Sequence, residues 1–125
     1  MEALGKHLLL ELIDCEAGLL NDVEYLQKVL SDTAILIGAT VIKDSFYQFT
    51  PQGVSGVVII AESHISIHTW PEYSFAAVDV FTCGDVIDPK NAVKPLIEKL
   101  KAASSSYVEM NRGVGNAVRE AVCWK

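Results

Sequence analysis

Side chains with reactive groups are concentrated in one stretch of the chain, between Ser55 and Cys83. Within it, otherwise apolar segments are interrupted by Glu62, Ser63, His64, Ser66, His68, Glu72 and Asp79. Hydroxyl, thiol, imidazole and carboxylate groups serve nucleophilic catalysis, proton transfer and metal binding. The sequence therefore indicates that an active site or metal site lies in this stretch.

A metal site is the first alternative, because His64, His68 and Cys83 are good zinc ligands. Two histidines four residues apart bind one ion when they lie on a helix. Here the segment alternates like a strand, and at about 3.3 Å per residue the two histidines are about 13 Å apart. Two ligands of one zinc ion are within about 4 Å of each other. We therefore expect no metal.

A thiol hydrolase is the second alternative, since Cys83 and His68 could form a nucleophile and base. The sequence contains no GxSxG motif and no recognisable oxyanion-hole loop. A hydrolase of this kind would keep its activity in Ser63→Ala and lose it in Cys83→Ala.

The elements that position these residues follow from hydrophobic periodicity. The pattern predicts strands at residues 7–13, 40–50, 54–61, 64–70, 74–83 and 107–110, and helices at residues 19–37 and 88–103. Residues 51–53 (PQG) predict a hairpin turn, and Pro71 separates two further strands. The three serines at 104–106 are interpreted as a linker, and the tail after Gly113 has no assignment.

This order of elements predicts an α+β fold, a two-layer sandwich with two helices on one face of an antiparallel sheet. The other face of such a sheet must also be covered. With only two helices in the chain, a second copy is the natural cover. We therefore expect a homodimer that forms a larger sandwich.

Composition narrows the class of protein further. The 125 residues are the length of one domain, and half of them are hydrophobic. A net charge of −6 opposes binding to nucleic acid. Neither a membrane-spanning run nor a signal peptide is recognisable, and Cys15, Cys83 and Cys123 form no CxxC pair. We expect a cytoplasmic protein of one domain, residues 1–125, with no nucleic-acid or membrane partner.

Two blocks of sequence resemble a known family. AESHISIHTWPE (residues 61–72) and DVFTCG (residues 79–84) closely resemble the bacterial and archaeal S-adenosylmethionine decarboxylases. The resemblance continues in order through LGKHLLLEL (4–12), GAT (38–40), GVSGVV (53–58) and DP (88–89). It extends to Arg112 and Gly113, and nothing is carried over to the tail beyond them.

The resemblance implies that the chain is a precursor that cleaves itself between Glu62 and Ser63. The products would be residues 1–62, the β chain, and residues 63–125, the α chain. Ser63 would become a pyruvoyl group, which forms a Schiff base with the substrate amine and replaces pyridoxal phosphate. His68 is the implied proton acceptor of this processing, and Ser55 is its helper.

The resemblance also implies roles in decarboxylation of S-adenosylmethionine. Cys83 matches the proton donor, Phe49 the residue that stacks on adenine, and Glu72 the residue that binds the ribose. The product would supply aminopropyl groups for spermidine and other polyamines. In this family the cleft lies between subunits, which agrees with the homodimer expected above.

Two alternatives remain within the resemblance. One is an unprocessed, noncatalytic relative that binds adenosyl ligands, which the presence of Ser63 disfavours. The other is a pyruvoyl-dependent arginine decarboxylase, because relatives can change substrate while they keep the pyruvoyl machinery. Phe49 and Glu72 favour the adenosyl substrate.

Overall fold

The computed structural model describes residues 3–114, so Cys123 and the tail from residue 115 lie outside the described residues. Within this range the strands are β1 (Ala3–Ile13), β2 (Thr40–Gln48), β3 (Val54–Ala61), β4 (Ser63–Trp70), β5 (Phe75–Cys83) and β6 (Ser104–Val114). The helices are α1 (Ala17–Leu20), α2 (Val23–Leu36) and α3 (Val93–Leu100), with 3-10 turns at Pro71–Tyr73 and Pro89–Ala92. The predicted α+β class is confirmed.

The strands form one sheet in the order β2-β3-β4-β5-β1-β6, and each neighbouring pair is antiparallel. The first strand of the chain therefore lies between two of the last strands, β5 and β6. The β3–β4 hairpin pairs Ile60 with Ser63, so its loop is only Ala61 and Glu62. This short loop fixes the register, which brings Ser55 opposite His68.

One face of the sheet carries the hydrophobic core, because alternate residues of each strand point to the same side. The strand residues buried in this core are Leu8, Leu10, Leu12, Val54, Val58, Ile60, Ile65, Ile67, Ala76, Val78 and Val80. Leu26 and Leu30 of α2 and Leu96 and Leu100 of α3 belong to the same core. The predicted two layers, with the helices on one face, are confirmed.

The single helix predicted at residues 19–37 is wrong in its first part, because α1 and α2 are separate elements. The Asp22 side chain accepts a hydrogen bond from Tyr25 N at 3.1 Å and caps α2, so the chain turns at this point. The end of α2 agrees with the prediction: Gly38 follows it with a positive φ of 96°.

The second predicted helix, residues 88–103, is also shorter than expected. Its first part is the 3-10 turn, and Asp88 accepts a hydrogen bond from Lys90 N at 3.0 Å. Lys101 has a left-handed φ of 54° and ends α3. Among residues 3–114, no helix is long and apolar enough to cross a membrane.

The linker predicted at residues 104–106 is wrong, since these serines begin β6. They pair with Glu11, Leu12 and Ile13 of β1. The last strand is therefore eleven residues long rather than four. β6 lies at the edge of the sheet and its serines are exposed, so the apolar alternation that marks a strand is missing from this part of the sequence.

Candidate active site

The face of the sheet opposite the helices carries most of the polar side chains predicted to do chemistry. Helix-side residues of β4 and β5 are buried, and the intervening positions point to the other side. On this open face lie Ser55 of β3, His64, Ser66 and His68 of β4, and Asp79 and Cys83 of β5.

Ser55 and His68 are in direct contact. They face each other across β3 and β4, and Ser55 Oγ lies 2.8 Å from His68 Nδ1. A hydroxyl at this distance can pass its proton to a neutral imidazole nitrogen, and an imidazole exchanges protons readily near neutral pH. The predicted pair of base and helper is therefore brought together by strand register alone.

A cavity of about 320 Å³ opens beside this pair. Its lining residues are Phe49, Gln52, Gly53, Ser55, His68, Thr69, Trp70 and Glu72. Four predicted site residues thus share one cavity: Phe49, Ser55, His68 and Glu72. The rings of Phe49 and Tyr47 meet edge to face, with centroids 4.9 Å apart, so an aromatic surface borders the cavity.

The sequence interpretation did not include Gln52, Gly53, Thr69 and Trp70 among the site residues. Gln52 and Gly53 were assigned only to the turn after Phe49, and Thr69 and Trp70 lie directly after His68. Because these four residues are close in sequence to Phe49 or His68, the sequence contained an indication that they belong to the same site.

Ser63 occupies an unusual backbone position at the tip of the β3–β4 hairpin. Its φ is 131°, a region that residues with a side chain rarely adopt, and such positions cost about 1–3 kcal/mol each. Ser63 is the first residue of β4 and is partly exposed. A cut just before Ser63 would leave β4 beginning at a new chain end, so the position fits a group formed at an N-terminus.

Cys83 lies at the same end of the sheet as Ser63. Ser63 pairs with Thr82, and Cys83 is the next residue of β5 and is exposed. The other described thiol, Cys15, is buried, and its burial raises its pKa to about 11, with a further contribution from Asp14. Of these two thiols, only Cys83 is placed for chemistry.

The predicted site residues therefore form two groups. Ser63 and Cys83 are at one end of the sheet, whereas Ser55 and His68 border the cavity near the other end. His68 is five positions after Ser63 along β4, which is about 16 Å at 3.3 Å per residue. Proton transfer requires hydrogen-bond distance, so His68 and Ser63 of one chain cannot react with each other in this arrangement.

A polar cluster lies between the two groups, and His7 is at its centre. His7 Nδ1 is 2.9 Å from Arg112 Nη1, so the guanidinium donates and Nδ1 accepts. His7 Nε2 is buried, and Asp79 Oδ1 at 3.4 Å is near it without a hydrogen bond. Ser66 Oγ donates to Asp79 Oδ2 at 3.1 Å. Sequence reasoning assigned no role to His7, because the β1–β5 register cannot be read from a short turn.

His64 belongs to this cluster and not to the Ser55–His68 pair. Its ring is edge to face with those of Phe81 and His7, at 5.8 Å and 6.3 Å. Burial lowers its pKa, and the neighbouring His7 lowers it further, while Asp79 acts in the opposite direction. His64 and His68 thus have different neighbours, and no group of three or more His, Cys, Asp or Glu side chains in residues 3–114 is arranged to hold a metal ion.

Together, the fold and the site define a two-layer α+β protein with reactive side chains on the uncovered face of its sheet and a serine on strained backbone at a hairpin tip. Residues 6–113 match the family model described as S-adenosylmethionine decarboxylase. The chain belongs to the S-adenosylmethionine decarboxylase family.

Individual relatives agree with this assignment. The chain is 53% identical over 114 residues to the S-adenosylmethionine decarboxylase proenzyme of Thermodesulfovibrio yellowstonii, covering 91% of this chain and 84% of that protein. It is 47% identical over 120 residues to the proenzyme of Clostridium kluyveri, covering 96% and 95%. The crystal structure of the adenosylmethionine decarboxylase from Aquifex aeolicus superposes with a TM-score of 0.85 at 37% identity, covering 92% of this chain and 95% of that one.

Proposed function

We propose that this chain is the precursor of an enzyme that decarboxylates S-adenosylmethionine, giving S-adenosyl-methylthiopropylamine and carbon dioxide. The precursor cleaves itself between Glu62 and Ser63. One observation carries the proposal: in a chain of this family, Ser63 is held on strained backbone at the hairpin tip. The relatives named above are proenzymes of S-adenosylmethionine decarboxylase. Their names do not favour the two alternatives for this chain, a noncatalytic relative and an arginine decarboxylase.

The cleavage uses only groups of the chain and one water molecule. Ser63 Oγ attacks the carbonyl carbon of Glu62, the peptide C–N bond breaks, and an ester forms. Removal of the Ser63 α-proton then expels the Glu62 carboxylate and leaves dehydroalanine. Its imine tautomer takes up water and releases ammonia, which gives the pyruvoyl group. His68 accepts protons in this sequence, and the Ser55 hydroxyl steadies the tetrahedral intermediate.

The two fragments stay together after cleavage because their strands alternate in the sheet. Residues 1–62 supply β1, β2 and β3, and residues 63–125 supply β4, β5 and β6. The fragments meet at the pairs β3–β4, β5–β1 and β1–β6. Backbone hydrogen bonds and the shared core therefore link them at three places.

The separation of about 16 Å along β4 favours a homodimer in which each site uses residues of both chains. Ser63 and Cys83 of one copy then meet Ser55 and His68 of the other. In a dimer with a two-fold axis, one end of each chain's surface meets the opposite end of its partner's surface. Each dimer therefore contains two equivalent sites.

Exposed apolar side chains on the open face support the same assembly. They include Leu9, Ile59, Trp70, Val108 and Met110. When a second copy covers these large apolar side chains, their surface is removed from water, and this burial stabilises the dimer. The polar cluster around His7 would lie within the covered area.

In the decarboxylation itself, the pyruvoyl group supplies the electrophile and electron sink. The chain's own residues bind and position the substrate. Phe49 offers its ring to the adenine, and the Glu72 carboxylate accepts hydrogen bonds from the ribose hydroxyls, both at the rim of the cavity. The Cys83 thiol delivers the proton that replaces the carboxylate on the substrate α-carbon. The product carries the aminopropyl group used to make spermidine and other polyamines in the cytoplasm.

The experiment that tests this function measures carbon dioxide released from carboxyl-labelled S-adenosylmethionine and, in parallel, from carboxyl-labelled arginine. Release from the first substrate alone is the expected result. Ser63→Ala is the matched control, because it removes the group that forms the electrophile and leaves the cavity intact. Release from arginine, or release by Ser63→Ala, would contradict the proposal.

A further inference from the structure

The loop that presents Phe49 to the cavity is tied to the helical layer by two side-chain amides. Gln48 Nε2 donates to Asn21 Oδ1 at 2.8 Å and to Gly53 O at 2.9 Å. Gly53 N donates to the same Asn21 Oδ1 at 2.9 Å. Asn21 lies between α1 and α2, far from the loop in sequence but in contact with both of its ends.

The chemistry of Gly53 fixes the direction of both amides. Its N–H can only donate, so Asn21 must present its oxygen there, and its C=O can only accept, so Gln48 must present its NH₂ group. If either amide turned over, a donor would face a donor or an acceptor would face an acceptor. The three residues therefore form one closed set of hydrogen bonds, which we call the amide clamp.

The amide clamp acts directly on the position of Phe49. Phe49 N donates to Gly53 O at 2.8 Å, so the residue clamped by Asn21 and Gln48 also closes the loop that carries the aromatic ring. Gly53 has a φ of 104°, and a side chain added there would lie 3.3 Å from Thr69 O. The backbone of the loop is thus held in a conformation that is suited only to glycine.

A second contact anchors the same region. The Thr69 hydroxyl donates to Leu20 O at 2.7 Å and accepts from Val54 N at 2.9 Å. Leu20 is the last residue of α1 and Asn21 follows it, so the end of α1 contacts both the loop after β2 and the end of β4. Phe49, Gly53 and Thr69 all line the cavity.

We propose that Asn21 and Gln48 are positioning residues for the adenine end of the substrate. They touch neither substrate nor reacting atoms, and they act by holding Phe49 and Gly53 at the cavity rim. This inference rests on the proposed function. Loosening the loop lowers affinity equally in the ground state and in the transition state, because the adenine is remote from the carbon that loses the carboxylate.

Four variants separate positioning from general stability. Gln48→Glu keeps the shape but replaces a donor by an acceptor that faces Asn21 Oδ1 and Gly53 O. Asn21→Leu removes the acceptor, whereas Asn21→Asp keeps it and is the conservative variant. Gln27→Glu is the matched control: Gln27 donates to Asp44 at 3.0 Å in another exposed contact between α2 and the sheet, outside the cavity.

For S-adenosylmethionine we expect KM to rise about tenfold in Gln48→Glu and Asn21→Leu while kcat stays within about twofold. KM stays within about twofold in Asn21→Asp and in Gln27→Glu. Calorimetric binding of 5′-methylthioadenosine, which has the adenine and ribose but no carboxylate, weakens by the same factor as KM rises.

An unchanged KM and an unchanged affinity for 5′-methylthioadenosine in Gln48→Glu and Asn21→Leu would overturn the inference. So would an equal loss in the Gln27→Glu control. Failure of the proposed function looks different, because the unsubstituted protein itself would then release no carbon dioxide from S-adenosylmethionine.

Discussion

Ser55 Oγ lies 2.8 Å from Nδ1 of His68, and the two residues are directly opposite each other on β3 and β4. The contact follows from the two-residue hairpin loop at Ala61 and Glu62, since pairing Ile60 with Ser63 sets every later pair. The loop that contains the proposed cleavage site thus also aligns the proposed proton acceptor with its helper.

Replacement of His68 should slow self-cleavage. Loss of a positioned base costs about 10²- to 10⁴-fold in rate, so His68→Gln should remain as a single chain for far longer than the unsubstituted protein. Denaturing gel electrophoresis at timed intervals after synthesis measures this rate. His64→Gln is the control on the same face of β4, and its rate should stay unchanged because His64 contacts His7 and Phe81 instead. Equal slowing in both variants would contradict the assigned role.

Two inactive variants should restore each other when they are produced together. In a dimer of Ser63→Ala with His68→Ala, one of the two sites receives an intact Ser63 from one chain and an intact His68 from the other. Cleavage of the His68→Ala chain and release of carbon dioxide should then reappear in the mixture, whereas each variant alone shows neither. No recovery from a mixture shown to contain the mixed dimer would mean that each site lies within one chain.

The two described thiols should differ in reactivity. Alkylation proceeds through the thiolate, and a pKa of about 11 leaves roughly one thiolate in a thousand for Cys15 at pH 8. Exposed Cys83 should therefore be alkylated by iodoacetamide well before Cys15, and reaction at Cys15 should increase as the pH rises toward 11. Mass mapping of the peptides resolves the two sites. Faster labelling of Cys15 at pH 8 in the folded protein would contradict this prediction.

A glycine on the helix side of β3 gives a test of packing. A side chain at Gly56 would overlap the ring of Phe46, which lies opposite it on β2. Gly56→Ala should lower the free energy of unfolding by about 1–3 kcal/mol, measured by urea denaturation. The double variant Gly56→Ala, Phe46→Leu should lose less than the sum of the two single changes, because the smaller side chain makes room. Additive losses would contradict the predicted overlap.

Much of the fold could be predicted because its strands alternate in the ordinary way. Residues 54–61 were predicted with the bounds that the structure has, and the helices lie on one face as expected. Errors arose where a local side-chain contact or an edge position overrode the periodicity. The Asp22 cap separates α1 from α2. The exposed edge strand β6 begins with three serines, so the sequence there lacks the apolar alternation that predicts a strand.

The residue types of the site could be predicted from the sequence, but only part of its geometry could. Ser55 and His68 are close in sequence to one hairpin, so a two-residue loop would have predicted their pairing. Asn21 and Gln48, in contrast, meet through the packing of a helix connection on a distant loop. The contact of His7 with Arg112 likewise depends on pairing between the first and last strands, which no short turn determines.

The most direct test of the central claim is the intact mass of the purified protein under denaturing conditions. We expect two chains, residues 1–62 and residues 63–125, with the second lighter by one ammonia than the unmodified fragment. In the presence of S-adenosylmethionine and cyanoborohydride, the second chain alone should gain the mass of a trapped adduct. A single chain that remains whole after prolonged incubation, or a second chain that begins with an unmodified serine, would contradict self-cleavage to a pyruvoyl group at Ser63.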